Sequence, residues 1–233
     1  MTPTNGEATD PDGRLWVFGY GSLMWRPGFA YAEAQHARLI GYRRCFCIYS
    51  VYHRGTLQRP GLVLGLDRGG ACEGIAYRVS AARAQETTQY LRQREQVHGV
   101  YRETHTSVEL IASPSREVLA LAYIVERAHP NYAGQLPLAM QAGLIHGACG
   151  RSGANLDYLI STLGHLAEVG IRERELERIL AIIGPHAARL PGGKGQSPHT
   201  AGVVRLSWQR KPVRCGKLPT GERRFLYRQH LPL

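Results

Sequence analysis

An apolar run that breaks on glycine constrains how the front of this chain can fold. Residues 16–25 read Trp-Val-Phe-Gly-Tyr-Gly-Ser-Leu-Met-Trp. Leu15 to Phe18 has the makings of a short buried strand, while Gly19 and Gly21 tolerate backbone angles that other residues resist. A strand over 15–20 should therefore stop in a tight loop able to point several N–H groups one way. Beyond the loop, Met24 and Trp25 read as core.

The body of the chain alternates strand and helix signals without a repeat. Strand candidates are 15–20, 37–51, 61–66, 72–79, 104–111 and 117–126, and helix candidates are 82–95, 137–149, 153–168 and 172–183. A β-rich first half with short Gly-containing connections, followed by a helical second half, points to an α+β fold rather than a doubly wound parallel sheet. At 233 residues the chain is long enough for one sizeable core. The expected organisation is an acidic N-terminal tail over 1–13, one domain over 14–190 and a basic extension over 191–233.

One of these helices carries a residue of unexpected chemistry. After Ser80, a candidate N-cap, Ala84, Thr88, Leu91 and Glu95 recur at spacings of four, three and four. Glu95 thus shares the less polar face with Leu91, while Arg92 and Gln96 turn outward and Gly99 stops the helix within a turn. Partial burial and the negative end of the helix dipole both disfavour the charged carboxylate, raising its pKa toward the range of a general base at neutral pH. A surface Glu paired with Arg94 or Arg92 is the structural alternative. Glu86, nine residues earlier, lies on another part of the helix and reads as solvated.

Charge and cysteine usage narrow the function classes. The net charge of +11 is uneven: residues 1–13 hold three acids and no Lys or Arg, whereas 191–233 hold nine Lys/Arg against Glu222 alone. That basic stretch has neither a zinc-knuckle nor a recognition-helix pattern, so a solvated or docked extension is expected and nucleic-acid binding is not. No apolar run reaches the ~18–20 residues of a membrane helix, and the first thirteen residues are unlike a signal, so the cytoplasm is the expected location and no membrane contact is expected. Cys45, Cys47, Cys72, Cys149 and Cys215 form no disulfide framework and no spaced pair of C-x-x-C hooks, so reduced thiols are expected. Cys45 and Cys47 share a strand face, which keeps a metal or redox pair open.

Three segments, in order, resemble the ChaC-like γ-glutamylcyclotransferases: residues 16–29, the Arg-Glu-Gln-Val-His-Gly-Val-Tyr of 94–101 and the Gly-Arg-Ser-Gly-Ala-Asn-Leu-Asp-Tyr-Leu of 150–159. The resemblance implies a small mixed β-barrel with flanking helices. It also implies cleavage of glutathione to 5-oxoproline and cysteinylglycine, with no metal, no nucleotide cofactor and no covalent enzyme intermediate. It places the catalytic carboxylate at Glu95 and the γ-glutamyl-binding loop at Tyr20, Gly21, Ser22 and Leu23. Arg44, His53 and Arg54 resemble basic positions that flank such a site and would suit a substrate with two carboxylates. Tyr101 would orient Glu95 or the substrate, with a core tyrosine as the alternative. Asn155 and Tyr158 open a helix capped by Ser152, where Asn155 serves either helix entry or the substrate. The Gln-Val-His-Gly-Val-Tyr of 96–101 departs from the Gly-Gly-Tyr ending of many relatives.

Two other readings stay open: a cyclotransferase for another γ-glutamyl peptide or amine, and a catalytically silent binding protein that uses its basic extension. A cysteine amidase built on Cys45 or Cys47 lacks a recognisable His partner. The intact Gly-Tyr-Gly-Ser loop together with Glu95 favours an enzyme, because a pure binder has no need of a buried carboxylate.

Overall fold

The structure is a computed structural model that describes residue 10 and residues 12–96, 99–112 and 114–187. Most of the acidic tail and the whole of the basic 191–233 extension lie outside the described residues. The chain runs β1 (Leu15–Gly19), a 3₁₀ turn (Ser22–Met24), β2 (Glu33–Ser50), β3 (Gly61–Val79), α1 (Ala81–Glu95), β4 (Tyr101–Leu110) and β5 (Arg116–Val125). It continues through α2 (Leu138–Gly147), the short pair β6 (Cys149–Gly150) and β7 (Gly153–Ala154), α3 (Asn155–Glu168) and α4 (Arg174–Ala187). The five long strands close a barrel in the order β1-β3-β2-β4-β5. Each seam of the barrel is antiparallel except the closing one, where β5 runs parallel to β1 with Trp16 opposite Ala120. This is the expected α+β class, a mixed barrel with flanking helices.

β3 corrects the expectation of two separate strands at 61–66 and 72–79. The Asp-Arg-Gly-Gly-Ala of 67–71 has the composition of a turn, yet it stays paired with β2, with Tyr42 opposite Arg68 and Ile40 opposite Ala71. Between those pairs one residue, Gly41, faces two, Gly69 and Gly70, and all three adopt positive φ (87°, 106° and 70°). The glycines therefore build a bulge within one long hairpin instead of ending a strand.

Strand alternation sends successive β1 side chains into two cores. Leu15 and Val17 join Leu64, Tyr77, Tyr123 and the apolar faces of the helices, among them Ile145, Leu159 and Leu166. On α4 the buried positions Leu176, Ile179 and Ile183 recur every three or four residues, the spacing of one helix face. Trp16 and Phe18 instead join Leu39, Leu66, Val108, Ala120 and Ala122. Tyr20 belongs to this second cluster and Leu23 to the first, so the end of β1 stands where the two cores meet.

No helix among the described residues is long and apolar enough to cross a membrane. Cys45, Cys47 and Cys72 are free and buried.

Candidate active site

β1 ends in a loop where space restricts Gly19 but not Gly21. A Cβ on Gly19 would stand 3.1 Å from the Leu23 Cβ, and one on Gly74 of the neighbouring β3 would fall on the Gly19 carbonyl oxygen and the Phe18 ring. Neither Gly19 nor Gly21 takes a positive φ, and Gly21 sits at φ −133°, ψ −132°, outside the helical and the extended regions. At Gly21 an added Cβ would meet no atom within 4 Å. The chain then turns tightly, the Met24 and Arg26 N–H groups donating to the carbonyls of Gly21 and Ser22, each at 2.9 Å. The N–H groups of Gly21, Ser22 and Leu23 sit at the front of this turn, outside its own hydrogen bonding.

α1 delivers a carboxylate to the same place. Its inner face buries Thr87 and Leu91 while Arg92 is exposed, and the helix ends on Glu95, with the Gln96 N–H bonded to the Arg92 carbonyl. Gly99, at φ 66°, then turns the chain toward β4. Ser80 occupies the N-cap position but makes no capping hydrogen bond through its side chain. The Glu95 side chain keeps 18% exposure and meets Arg94 Nε at 3.1 Å. Burial raises its pKa above the ordinary carboxylate value, and the neighbouring Arg94 opposes that rise without cancelling it.

Glu95 and the loop residues Tyr20, Gly21, Ser22 and Leu23 line one open cavity of about 360 Å³, completed by Leu64, Tyr101, Tyr123 and Tyr158. Burial pushes all four phenols up, Tyr158 to about 12, so the walls around Glu95 are neutral at pH 7. The Tyr101 hydroxyl donates to the Leu64 carbonyl at 2.7 Å and the Tyr123 hydroxyl to Glu103 at 3.1 Å. Such a cavity places one proton-accepting group, shielded from water, beside backbone donors suited to a developing oxyanion. Among the described residues no three His, Cys, Asp or Glu side chains gather as a metal site would require.

The model of the ChaC-like protein family matches residues 15–185, a span that contains the loop, α1 and every residue lining the cavity. The chain belongs to the ChaC-like family. It is 34% identical over 177 residues to the glutathione-specific gamma-glutamylcyclotransferase of Escherichia coli, covering 76% of each protein. It is 35% identical over 179 residues to glutathione-specific gamma-glutamylcyclotransferase 1 of Homo sapiens, covering 76% of this chain and 80% of that one. The crystal structure of a selenomethionine-labelled gamma-glutamyl cyclotransferase specific to glutathione from yeast shares the fold, with a TM-score of 0.67 at 24% identity over 75% of this chain and 97% of that chain.

Of the residues expected in this ChaC-like site, Tyr20, Gly21, Ser22, Leu23, Glu95 and Tyr101 converge on the cavity, and Arg44 does not. The Arg44 side chain is wholly buried and pairs with Glu173. Its other nitrogens donate to the Tyr20 and Glu73 carbonyls, each at 2.5 Å, and reach Met24 Sδ at 3.6 Å. A buried guanidinium needs acceptors for its N–H groups, and here the loop's own backbone supplies one. His53 and Arg54 grip the β6–β7 hairpin instead: His53 Nδ1 lies 3.0 Å from Ser152 Oγ, and Arg54 donates to the Ser152 carbonyl at 2.6 Å while lying over the Tyr158 ring. The N-cap of α3 is Ala154, not Ser152. Asn155 spends its amide on β3, accepting from the Leu62 N–H at 2.6 Å and donating to the Leu62 carbonyl at 2.7 Å.

Sequence reasoning passes over Leu64 and Tyr123 and gives Tyr158 only a helix position. Strand alternation would have placed Tyr123 on the same face as Leu121, yet nothing local says that this face borders Glu95.

Proposed function

We propose that this chain is a γ-glutamylcyclotransferase that cleaves glutathione to 5-oxoproline and cysteinylglycine, with Glu95 as general base and then general acid. The observation that carries the reading is that the largely buried Glu95 carboxyl and the Tyr20-Gly-Ser-Leu loop line one cavity. The Escherichia coli and human relatives, glutathione-specific by name, supply the substrate.

In this reaction the substrate's α-amine attacks its own γ-carbonyl carbon. Folding the γ-glutamyl unit so that the two touch is a proximity effect worth on the order of 7–11 kcal/mol in favourable systems. The α-ammonium first gives a proton to Glu95. The amine then adds to the carbonyl, and the oxygen turns anionic beside the N–H groups of Gly21, Ser22 and Leu23, where loss of one such donor typically costs about 3–4 kcal/mol. Collapse breaks the amide C–N bond, and the protons lost from the α-nitrogen end on the departing cysteinyl nitrogen, so no water is consumed. The raised pKa of Glu95 suits both halves of the transfer.

In the same reading, residues 14–190 form the catalytic unit, with an acidic tail over 1–13 and a basic extension over 191–233. The enzyme works in the cytoplasm on a small molecule, needs no metal or nucleotide, and engages neither membrane nor nucleic acid. The test is 5-oxoproline release from glutathione and from a panel of γ-glutamyl peptides and amines. Glu95→Gln is expected to lower kcat/KM by about 10²–10⁴-fold with an unchanged circular dichroism spectrum. Turnover of a different γ-glutamyl compound alone would keep the chemistry and change the substrate. No release from any compound by well-folded protein, or an active Glu95→Gln, would overturn the reading.

A further inference from the structure

Arg94 reaches both the substrate loop and Glu95. Its Nη2 donates to Ser22 Oγ at 2.9 Å, and its Nη1 donates to the Arg26 carbonyl at 2.6 Å, to the Pro27 carbonyl at 3.2 Å and to the Tyr90 hydroxyl at 3.0 Å. Its Nε faces Glu95 at 3.1 Å. We infer that Arg94 is a positioning residue that holds the substrate loop in register with the base, fixing the Ser22 hydroxyl and the Glu95 carboxylate with one guanidinium. This rests on the reading of Glu95 as the base.

The chemistry of the groups gives the inference its content. A guanidinium has donors and no acceptor, so Ser22 Oγ must accept from Arg94, and the Ser22 hydroxyl proton points elsewhere. Ser22 lines the cavity, so its O–H is preset as a donor toward a carboxylate or carbonyl of the substrate. The rigid planar fork reaches the loop and the base together, which a lysine ammonium on a flexible stem would not do. The bonds to the Arg26 and Pro27 carbonyls tie the backbone after the 3₁₀ turn to the last turn of α1. The loop's distance from Glu95 is thus set directly and not only through the barrel.

The charge acts as well. Glu95 is faced by the phenols of Tyr20 after β1, Tyr101 on β4, Tyr123 on β5 and Tyr158 on α3, all held neutral. From β3 it is met by the apolar Leu64. Arg94 is the charged partner that acts on Glu95 among the described residues, and it favours the ionised carboxylate.

The experiment compares Arg94→Gln, Arg94→Lys, Ser22→Ala and the Arg94→Gln/Ser22→Ala double variant by kcat and KM across pH. Thermal melts select the folded variants. Carbon-13 NMR of labelled glutamate carboxyls follows the Glu95 titration without needing turnover. Arg94→Gln is expected to raise KM about tenfold. It should also move the acid limb of kcat/KM, and the Glu95 titration, to higher pH, because removing a cation favours the protonated carboxyl. Arg94→Lys should return the titration toward wild type but leave KM raised, since the charge is restored and the fork is not. The double variant should be no worse in KM than Arg94→Gln alone, the signature of two residues acting as one unit.

A folded Arg94→Gln with an unmoved Glu95 titration, or KM effects that multiply with those of Ser22→Ala, would overturn the inference and leave Arg94 a strut. Failure of the base assignment shows separately, as an active Glu95→Gln or a wild type without turnover. In either case the NMR titration still decides whether Arg94 governs Glu95.

Discussion

Glu95 sits where its own charge is disfavoured. Burial outweighs the attraction of Arg94, so its folded-state pKa lies above the ordinary value. A carboxyl raised on folding binds its proton more tightly in the native state. Its ionisation therefore costs stability above the folded pKa, and that cost is relieved as the pH falls through the folded pKa to below the unfolded one. Glu95→Gln is accordingly expected to melt at a higher temperature than wild type at pH 8, with the gap closing as the pH drops through the carboxylate range. Thermal unfolding at several pH values measures this beside the lost turnover, and identical melting curves at pH 8 would refute it. Glu95 is legible in the sequence because its signals are local, the spacing from Leu91 and the stop at Gly99. Arg44 is not legible, because the groups it bonds lie 24, 29 and 129 residues away, and a lone arginine on a strand looks the same whether it meets a ligand or a carbonyl.

Among the elements, one side chain decides how α3 sits on β3. Asn155 is fully buried and gives Leu62 both hydrogen bonds that a neighbouring strand would otherwise provide. The fit leaves no slack: a Cβ on Gly61 would stand 2.6 Å from Asn155 Oδ1. Asn155→Ala strands a buried N–H and a buried C=O, and the expected loss is about 2–4 kcal/mol in urea unfolding. Asn155→Asp keeps the acceptor but sets a buried carboxylate against the Leu62 carbonyl, so at neutral pH it should cost at least as much as alanine; an unshifted midpoint for the alanine variant would count against the account. Leu64, two residues along β3, lines the cavity, so KM should worsen with stability. The extents of β1, α1 and β5 are close to what periodicity and end signals indicate. The continuity of β3 is hidden because Asp-Arg-Gly-Gly-Ala carries every local mark of a turn, and only its pairing partner across the hairpin keeps it a strand.

Across the whole molecule, Arg44 joins parts that meet nowhere else in sequence: β2, the loop after β1 and Glu173 at the entry to α4. Breaking a buried pair usually costs about 3–5 kcal/mol. Since Glu173 keeps 22% exposure and can rehydrate, Arg44→Ala should cost about 3 kcal/mol, measured by urea unfolding. It should also loosen the loop and raise KM, whereas a variant with wild-type stability would show that the Tyr20 carbonyl needs no such support. The sequence by itself determined the strand that stops at Gly19, the loop that follows, the helix that carries Glu95 and the α+β class. Each of these rests on periodicity, glycine placement or end signals within about fifteen residues. Only the tertiary structure decided that Tyr123 and Tyr158 join Tyr20 and Tyr101 around Glu95 and that Arg44 lies behind the loop and not in the cavity. Those outcomes depend on β1 pairing with both β3 and β5 and on α3 docking against β3. They are contacts between distant residues, and no local pattern encodes their register.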